Sequence, residues 1–256
     1  MKPCISILDI APTRGVTQDT LATNVSRLAP AHAPRLYGAS VATGTLITIE
    51  GLDGAGKSTL AVALARELAQ RSSQVELLRE PGGVQLSEQI RSLVKDPTLA
   101  VAPRAEALLY AAARAQLVHE RLQPLLDQGA VVLLDRFVDS SLAYQGAGRE
   151  LGVEAVRAIN RFATGGLTPE RTLLLRIDPA VGRARQHERA SAPDRLERES
   201  ERFFAAIAAA YDDLAREEPE RIRALDAAQA PEDVLADALA AIEDLLPPPE
   251  RINMDA

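Results

Sequence analysis

Gly51-Leu52-Asp53-Gly54-Ala55-Gly56-Lys57-Ser58 satisfies the pattern G-x-x-x-x-G-K-[ST], and its reading decides the fold. Upstream, Leu46-Ile47-Thr48-Ile49 is a short apolar run with β-branched residues; downstream, Leu60, Leu64 and Leu68 recur at helical spacing. The glycine-rich stretch therefore turns a strand into a helix, which is the setting a P-loop requires. There the backbone N–H groups wrap a phosphate chain at a helix N-terminus, Lys57 offsets phosphate charge, and the Ser58 hydroxyl is available to Mg2+. Gly51, Leu52, Asp53, Gly54, Ala55, Gly56, Lys57, Ser58 and Thr59 form the candidate ATP site. An ordinary glycine turn beside a surface lysine is the competing reading, and the strand and helix flanks argue against it.

The 256 residues fit one generous α/β domain, or one domain plus an appendage, with a sizeable core. A hydrophobic share of 46% with 25% charged residues is ordinary for a soluble chain, and no apolar run is long enough to cross a bilayer. The net charge of -7 argues against a general nucleic-acid or anionic-membrane surface, so a polyanion must meet a local basic site. One cysteine, Cys4, excludes an internal disulfide and fits a reducing cytoplasm. His32, His119 and His187 are too scattered for a protein-bound zinc.

Residues 1–43 lack periodicity and read as an N-terminal extension, faintly like a transit peptide but better explained by a mistaken translation start, with Val41 the candidate native start. The P-loop domain is expected over 44–247 and a polar tail over 248–256. After the first helix, Gln74 to Leu78 reads as a strand ending in the turn Arg79-Glu80-Pro81-Gly82-Gly83, well placed to touch a ligand. A helix from about Leu86 to Val94 precedes a long one from about Arg104 to Gln128, in which Tyr110 and Arg114 share a face. Taken alone, Tyr110 is a core aromatic and Arg114 a solvated charge more often than not.

Val131-Val132-Leu133-Leu134 has the continuous apolar character of a buried parallel strand and ends in Asp135-Arg136. P-loop enzymes hold Mg2+, usually through water, with an aspartate at such a strand end; capping a turn is its bland alternative. A helix near Val153 to Ala163, a strand at Thr172 to Ile177, a helix from Phe203 to Leu214, a strand near Ile222 to Leu225 and a last helix complete the alternation. The expected architecture is a doubly wound, parallel five-stranded sheet of the P-loop NTPase fold, with ligand beyond the strands' carboxyl ends. Between the strand at Thr172 to Ile177 and the helix from Phe203, the arginine-rich segment 183–198 is interrupted by Ala190-Ser191-Ala192-Pro193. It reads either as a solvated helix face or as a mobile lid over the P-loop.

The sequence lacks an N-K-x-D motif of GTPases and an L-S-G-G-Q signature of transporter ATPases, and Arg136 stands where motor-like ATPases carry glutamate after the strand-end aspartate. An arginine there suits a second phosphate, so the chain reads as transferring phosphoryl groups between two anionic ligands. With Glu50 to Thr59, Arg79 to Gly83, Asp135-Arg136-Phe137, Ser140 to Gly146 and Asp194-Arg195, it resembles the thymidylate kinase family over about residues 45–246. The resemblance implies ATP-dependent, Mg2+-assisted phosphorylation of dTMP to dTDP on the route to dTTP, in the cytoplasm and in a homodimer. It places Asp53 at the sugar 3′-hydroxyl, Arg91 and Arg136 on the acceptor phosphate, Tyr110 against thymine, and Arg114, Gln145 and Ser141 at the base edges. Tyr144 would exclude a ribose 2′-hydroxyl, Glu80 would lie near the metal or acceptor, and Mg2+ would be held by Ser58 and, through water, Asp135. Most members carry phenylalanine at the position of Tyr110, so its hydroxyl needs a partner or water. Gly54 marks the bacterial subtype whose catalytic arginine comes from the lid; Arg189 or Arg195 is the candidate beside Lys57 and Arg136, with Arg185 near adenine. The alternatives are another nucleoside monophosphate kinase and a P-loop regulatory switch without transferase activity.

Overall fold

The computed structural model describes residues 44–71, 74–187 and 194–246. The expected extension over 1–43, the tail over 248–256 and Arg189 lie outside the described residues. Five parallel strands form one sheet: β1 (Thr45–Gly51), β2 (Val75–Arg79), β3 (Val131–Asp135), β4 (Arg171–Arg176) and β5 (Ile222–Asp226), in the order β2-β3-β1-β4-β5. The near-continuous apolar runs make this sheet, because central parallel strands are covered on both faces. Leu46, Ile47 and Ile49 of β1 and Val132, Leu133 and Leu134 of β3 are fully buried. Thr48 is tolerated among them because its hydroxyl meets that of Thr172 at 2.8 Å.

One face is covered by α1 (Lys57–Leu68), whose Leu60, Leu64 and Leu68 join Ile47, Ile49 and Leu133 in the core. The other carries α2 (Gln85–Lys95) and α3 (Pro103–Leu117), whose helical path continues through a π-helical stretch (Val118–Leu122) into α4 (Gln123–Asp127). The single long helix expected over this region is thus interrupted, and Pro124 supplies the reason. It has no N–H to give the Glu120 carbonyl, and its ring would crowd that carbonyl in a straight α-helix; a wider turn just before it relieves both problems.

After β3 the chain forms α5 (Val138–Ser141) and a second π-helical stretch (Leu142–Gly148), neither expected from the sequence pattern. Then follow α6 (Val153–Thr164), α7 (Pro179–His187), α8 (Glu201–Glu217) and α9 (Pro231–Ala240). Ser200 caps α8 by accepting from the Phe203 amide at 3.3 Å. No helix among the described residues is long and apolar enough to cross a membrane. The strand order reverses direction at β1, so the carboxyl ends of β1 and β3 open a crevice at the topological switch point.

Candidate active site

The phosphate loop occupies that crevice. Gly51, Gly54 and Gly56 have φ of 133°, 83° and 93°, backbone that L side chains rarely adopt. At Gly54 a second constraint applies: a Cβ would sit 2.1 Å from the Gly182 carbonyl oxygen of α7, so this glycine lets the helix leading into the lid segment touch the loop. The Lys57 ammonium folds back to donate to the Leu52 carbonyl at 2.8 Å, with the Asp53 carboxylate 3.7 Å away. Burial and the nearby Arg136 charge push its pKa down to about 8, against the opposing pull of Asp53 and Asp135. Ser58 is exposed and its hydroxyl donates to Asp135 at 2.8 Å.

Across the loop stands Arg136. Its φ of 71° is uncommon for an arginine, a strain of order 1–3 kcal/mol that the surroundings must hold. The clamps are visible: its amide donates to the Ile49 carbonyl at 3.0 Å, and the next amide, Phe137, donates to Glu50 at 2.7 Å. Glu50 is buried and also accepts from the hydroxyls of Ser140 at 2.5 Å and Tyr211 at 2.9 Å. Burial, reinforced by Asp139, raises its pKa. The Arg136 guanidinium then reaches Asp53 at 2.6 Å, Ser140 at 3.0 Å and the Tyr144 hydroxyl at 3.2 Å, and lies 5.1 Å from the centre of the Tyr144 ring. Burial works against the Asp53 carboxylate, but Arg136 and Lys57 outweigh it and hold the pKa well below the ordinary range. Glu50, quoted in the sequence only as the start of a motif, is thus a builder of this centre, and Tyr211, a core residue of the helix expected from Phe203 to Leu214, adds its hydroxyl.

A cleft of about 310 Å3 joins the two sides, bordered by Asp53, Lys57 and Ser58 on the loop and by Asp135, Arg136 and Tyr144 opposite. Glu80, Arg91, Tyr110, Arg114, Ser141 and Gln145 line its further end, so the expected acceptor residues do come together. Arg91 donates to the Pro81 carbonyl at 2.9 Å, beyond the cis Glu80–Pro81 bond. The Tyr110 hydroxyl makes no hydrogen bond among the described residues, and burial raises its pKa. Arg114 lines the cleft from within a buried network. Only 2% exposed, it hydrogen-bonds Glu80 at 2.7 Å, Ser141 at 2.9 Å, the Phe137 carbonyl at 2.8 Å and Asn160. It is not a solvated charge but the hub of a buried network. Its partner Glu80 keeps one oxygen, Oε1, buried without a partner, and burial pushes the Glu80 pKa up to about 7 despite Arg114.

In segment 194–198, Arg195, one of the two arginines expected to reach the transferring phosphoryl group, donates through Nε to the Val94 carbonyl at 3.0 Å and pairs with Glu106 at 2.7 Å. Asp194 pairs with Lys95 at 2.8 Å and accepts from the amides of Leu196 and Glu197 at 2.9 and 3.1 Å. This end of the lid segment is therefore anchored on the carboxyl end of α2 and on α3. At the other end, Arg185, expected near adenine, donates to the Ala227 carbonyl after β5 at 3.2 Å. Glu106 and Arg149 were not singled out from the sequence. The signal existed, because Glu106, Tyr110 and Arg114 repeat at intervals of four and so form one stripe along α3.

Among the described residues no cluster of three or more His, Cys, Asp or Glu side chains could hold a metal ion on its own. The Ser58 hydroxyl beside the Asp135 carboxylate nevertheless offers an all-oxygen edge that suits a hard divalent cation completed by water and phosphate.

A loop built to wrap phosphates, facing an acceptor cleft with its own arginine, defines a P-loop nucleotide kinase architecture. Comparison narrows the class. The thymidylate kinase family model matches residues 49–238, and the chain belongs to that family. It is 45% identical over 201 residues to a thymidylate kinase of Deinococcus radiodurans, covering 78% of this chain and 97% of that protein. With a thymidylate kinase of Latilactobacillus sakei it shares 48% identity over 202 residues, 78% of this chain and 94% of the other. The crystal structure of thymidylate kinase from Ehrlichia chaffeensis superposes with a TM-score of 0.65 at 25% identity, covering 78% of this chain and 98% of that one.

Proposed function

We propose that the protein transfers the terminal phosphoryl group of ATP to dTMP, giving ADP and dTDP, in the cytoplasm and on the route to dTTP. The observation that carries this reading is the meeting of Asp53, Arg136 and Tyr144 with Lys57 at one end of a single cleft. The chain's family membership fixes the acceptor as thymidylate. The acceptor phosphate has a second pKa near 6, so at pH 7 it is largely a dianion and needs no general base. The difficulty is to bring two anions together, and the protein answers with fixed positive charge.

In this reading Lys57 leaves the Leu52 carbonyl to bind the donor phosphates, and Arg136 and Arg91 bind the acceptor phosphate. Asp53 takes the 3′-hydroxyl of the sugar while keeping Arg136 aimed. Tyr144, pressed against Arg136, fills the space of a 2′-hydroxyl, and Tyr110 stacks on the base. Gln145 and Ser141 meet the base edges, Ser141 with its hydroxyl oriented by Arg114. Ser58 and, through water, Asp135 would hold Mg2+, which when bound neutralises charge on the donor phosphates. Arg185 lies along the adenine, and Arg189 is the lid arginine assigned to the transferring group, since Arg195 is occupied as an anchor. A homodimer is supported by apolar side chains left in solvent on three neighbouring helices: Leu86 and Leu93 of α2, Leu108 of α3 and, 92% exposed, Phe162 of α6. Comparing dTMP with uridylate, deoxyuridylate and adenylate as acceptors for ATP tests the reading, and preference for any other acceptor would refute it.

A further inference from the structure

Glu106 lies behind the cleft, one hydrogen bond away from its lining residue Gln145. It is fully buried on α3, yet it is not part of the phosphate chemistry. Three groups converge on it: Gln145 Nε2 donates at 2.9 Å, Arg149 donates through Nε at 3.2 Å and Nη2 at 3.1 Å, and Arg195 pairs with it at 2.7 Å. Arg149 also ties Glu199 at 2.6 Å. The carboxylate thus binds the second π-helical stretch and the anchored end of the lid segment to α3.

The consequence lies in the amide. An ionised carboxylate only accepts hydrogen bonds, so the Gln145 side chain must turn its nitrogen toward Glu106. Its oxygen is then committed to the opposite direction, and it has no protein partner among the described residues. Gln145 is 2% exposed and lines the cleft, so that oxygen is an acceptor offered to a ligand. A pyrimidine whose ring N3 carries hydrogen, as in thymine and uracil, satisfies it. A pyrimidine whose N3 carries a lone pair, as in cytosine, sets two acceptors against each other. A site that hydrogen-bonds one partner rejects the mispaired analogue strongly, because a buried polar group is left unsatisfied.

We propose that Glu106 is a positioning residue that fixes the hydrogen-bond polarity of Gln145 and thereby selects acceptor bases bearing an N3–H. This rests on the assignment of Gln145 to the base edge made above. Glu106→Gln can donate as well as accept, so it permits the Gln145 amide to reverse; Glu106→Asp keeps an acceptor-only partner. The test is kcat/KM for dTMP and for dCMP with saturating ATP, with folding followed by circular dichroism. E106Q is expected to lower the dTMP-to-dCMP ratio by about tenfold or more, mainly through KM, and E106D to preserve it within about threefold even at reduced stability. A folded E106Q with the wild-type ratio overturns the proposal.

A measurement on the wild-type protein covers the case in which E106Q does not fold. The side-chain amide resonance of Gln145, assigned by its loss in Gln145→Met, should show slowly exchanging protons that move little when dTMP is added, because they face Glu106. A large shift on binding would place the nitrogen on the base and overturn the proposal. If Gln145→Met leaves both KM and the base ratio unchanged, the assignment of Gln145 to the base is itself wrong, and the inference goes with it.

Discussion

Glu80→Gln isolates a buried carboxyl group whose ionisation opposes folding. Burial raises the folded-state pKa from the usual 4.5 to about 7. A raised folded pKa means the folded protein holds the proton more tightly than the unfolded chain. Its contribution to stability is therefore fully present below pH 4.5 and is lost as pH rises through about 7. From the two pKa values the contribution is about 2 kcal/mol at pH 5.5 and close to zero at pH 8. For a domain of this size that is roughly 4–8 °C in Tm. The Glu50 carboxyl, raised in the same direction, adds a slope common to both proteins, so the informative quantity is the difference between wild type and variant. Urea unfolding at pH 5.5, 6.5, 7.5 and 8 should show the wild type losing about 2 kcal/mol relative to E80Q across the range. A difference constant to within about 0.5 kcal/mol would refute the reasoning, since a carboxyl with an ordinary pKa is already ionised throughout.

Four other outcomes test the site. Because Lys57 has a pKa near 8 without ligand and must be charged against phosphate, ATP binding at pH 8 should take up roughly half a proton; calorimetry in buffers of different ionisation enthalpy reads this, and release of protons would contradict it. Arg136→Met should cut kcat/KM for dTMP by about 10^2 to 10^3, since it strands the Asp53 carboxylate as well as losing the phosphate contact; a fall below tenfold would remove Arg136 from the acceptor site. Gly54→Ala should weaken ATP binding and lower Tm, because its Cβ cannot coexist with the Gly182 carbonyl at 2.1 Å; unchanged affinity would mean that α7 yields freely. Arg189→Ala should reduce kcat by about 10^3 or more while leaving dTMP affinity near wild type; a loss confined to Arg195→Ala would return the catalytic role to that residue.

The sheet was legible because each strand announces itself locally: Val131 to Leu134 is apolar throughout, and the glycines of the phosphate loop fall between a β-branched run and a leucine stripe. The nearness of Ser58 to the strand-end Asp135, 77 positions away, also followed, because the two motifs sit at the carboxyl ends of the adjacent strands β1 and β3. Arg195 did not. Its place is set by Val94 and Glu106, contributed by two other helices, and nothing in a run of arginines distinguishes a catalytic one from one neutralised by a buried glutamate. The burial of Arg114 was hidden for the same reason, since its exposure is decided by Glu80, Asn160 and the Phe137 carbonyl, each from a different element. The π-helical stretch from Leu142 to Gly148 escaped because Ala, Gly and Tyr in close succession carry neither a clear helical nor a strand period.

The central claim is that the two sides of the cleft act on one phosphoryl group. Its most direct test is to incubate the purified protein with ATP, Mg2+ and dTMP and to quantify every nucleotide by chromatography over the time course. Transfer predicts dTDP and ADP appearing in equal amounts and neither forming when dTMP is left out. ADP accumulating without dTDP, or nucleotide bound with no product, would contradict it.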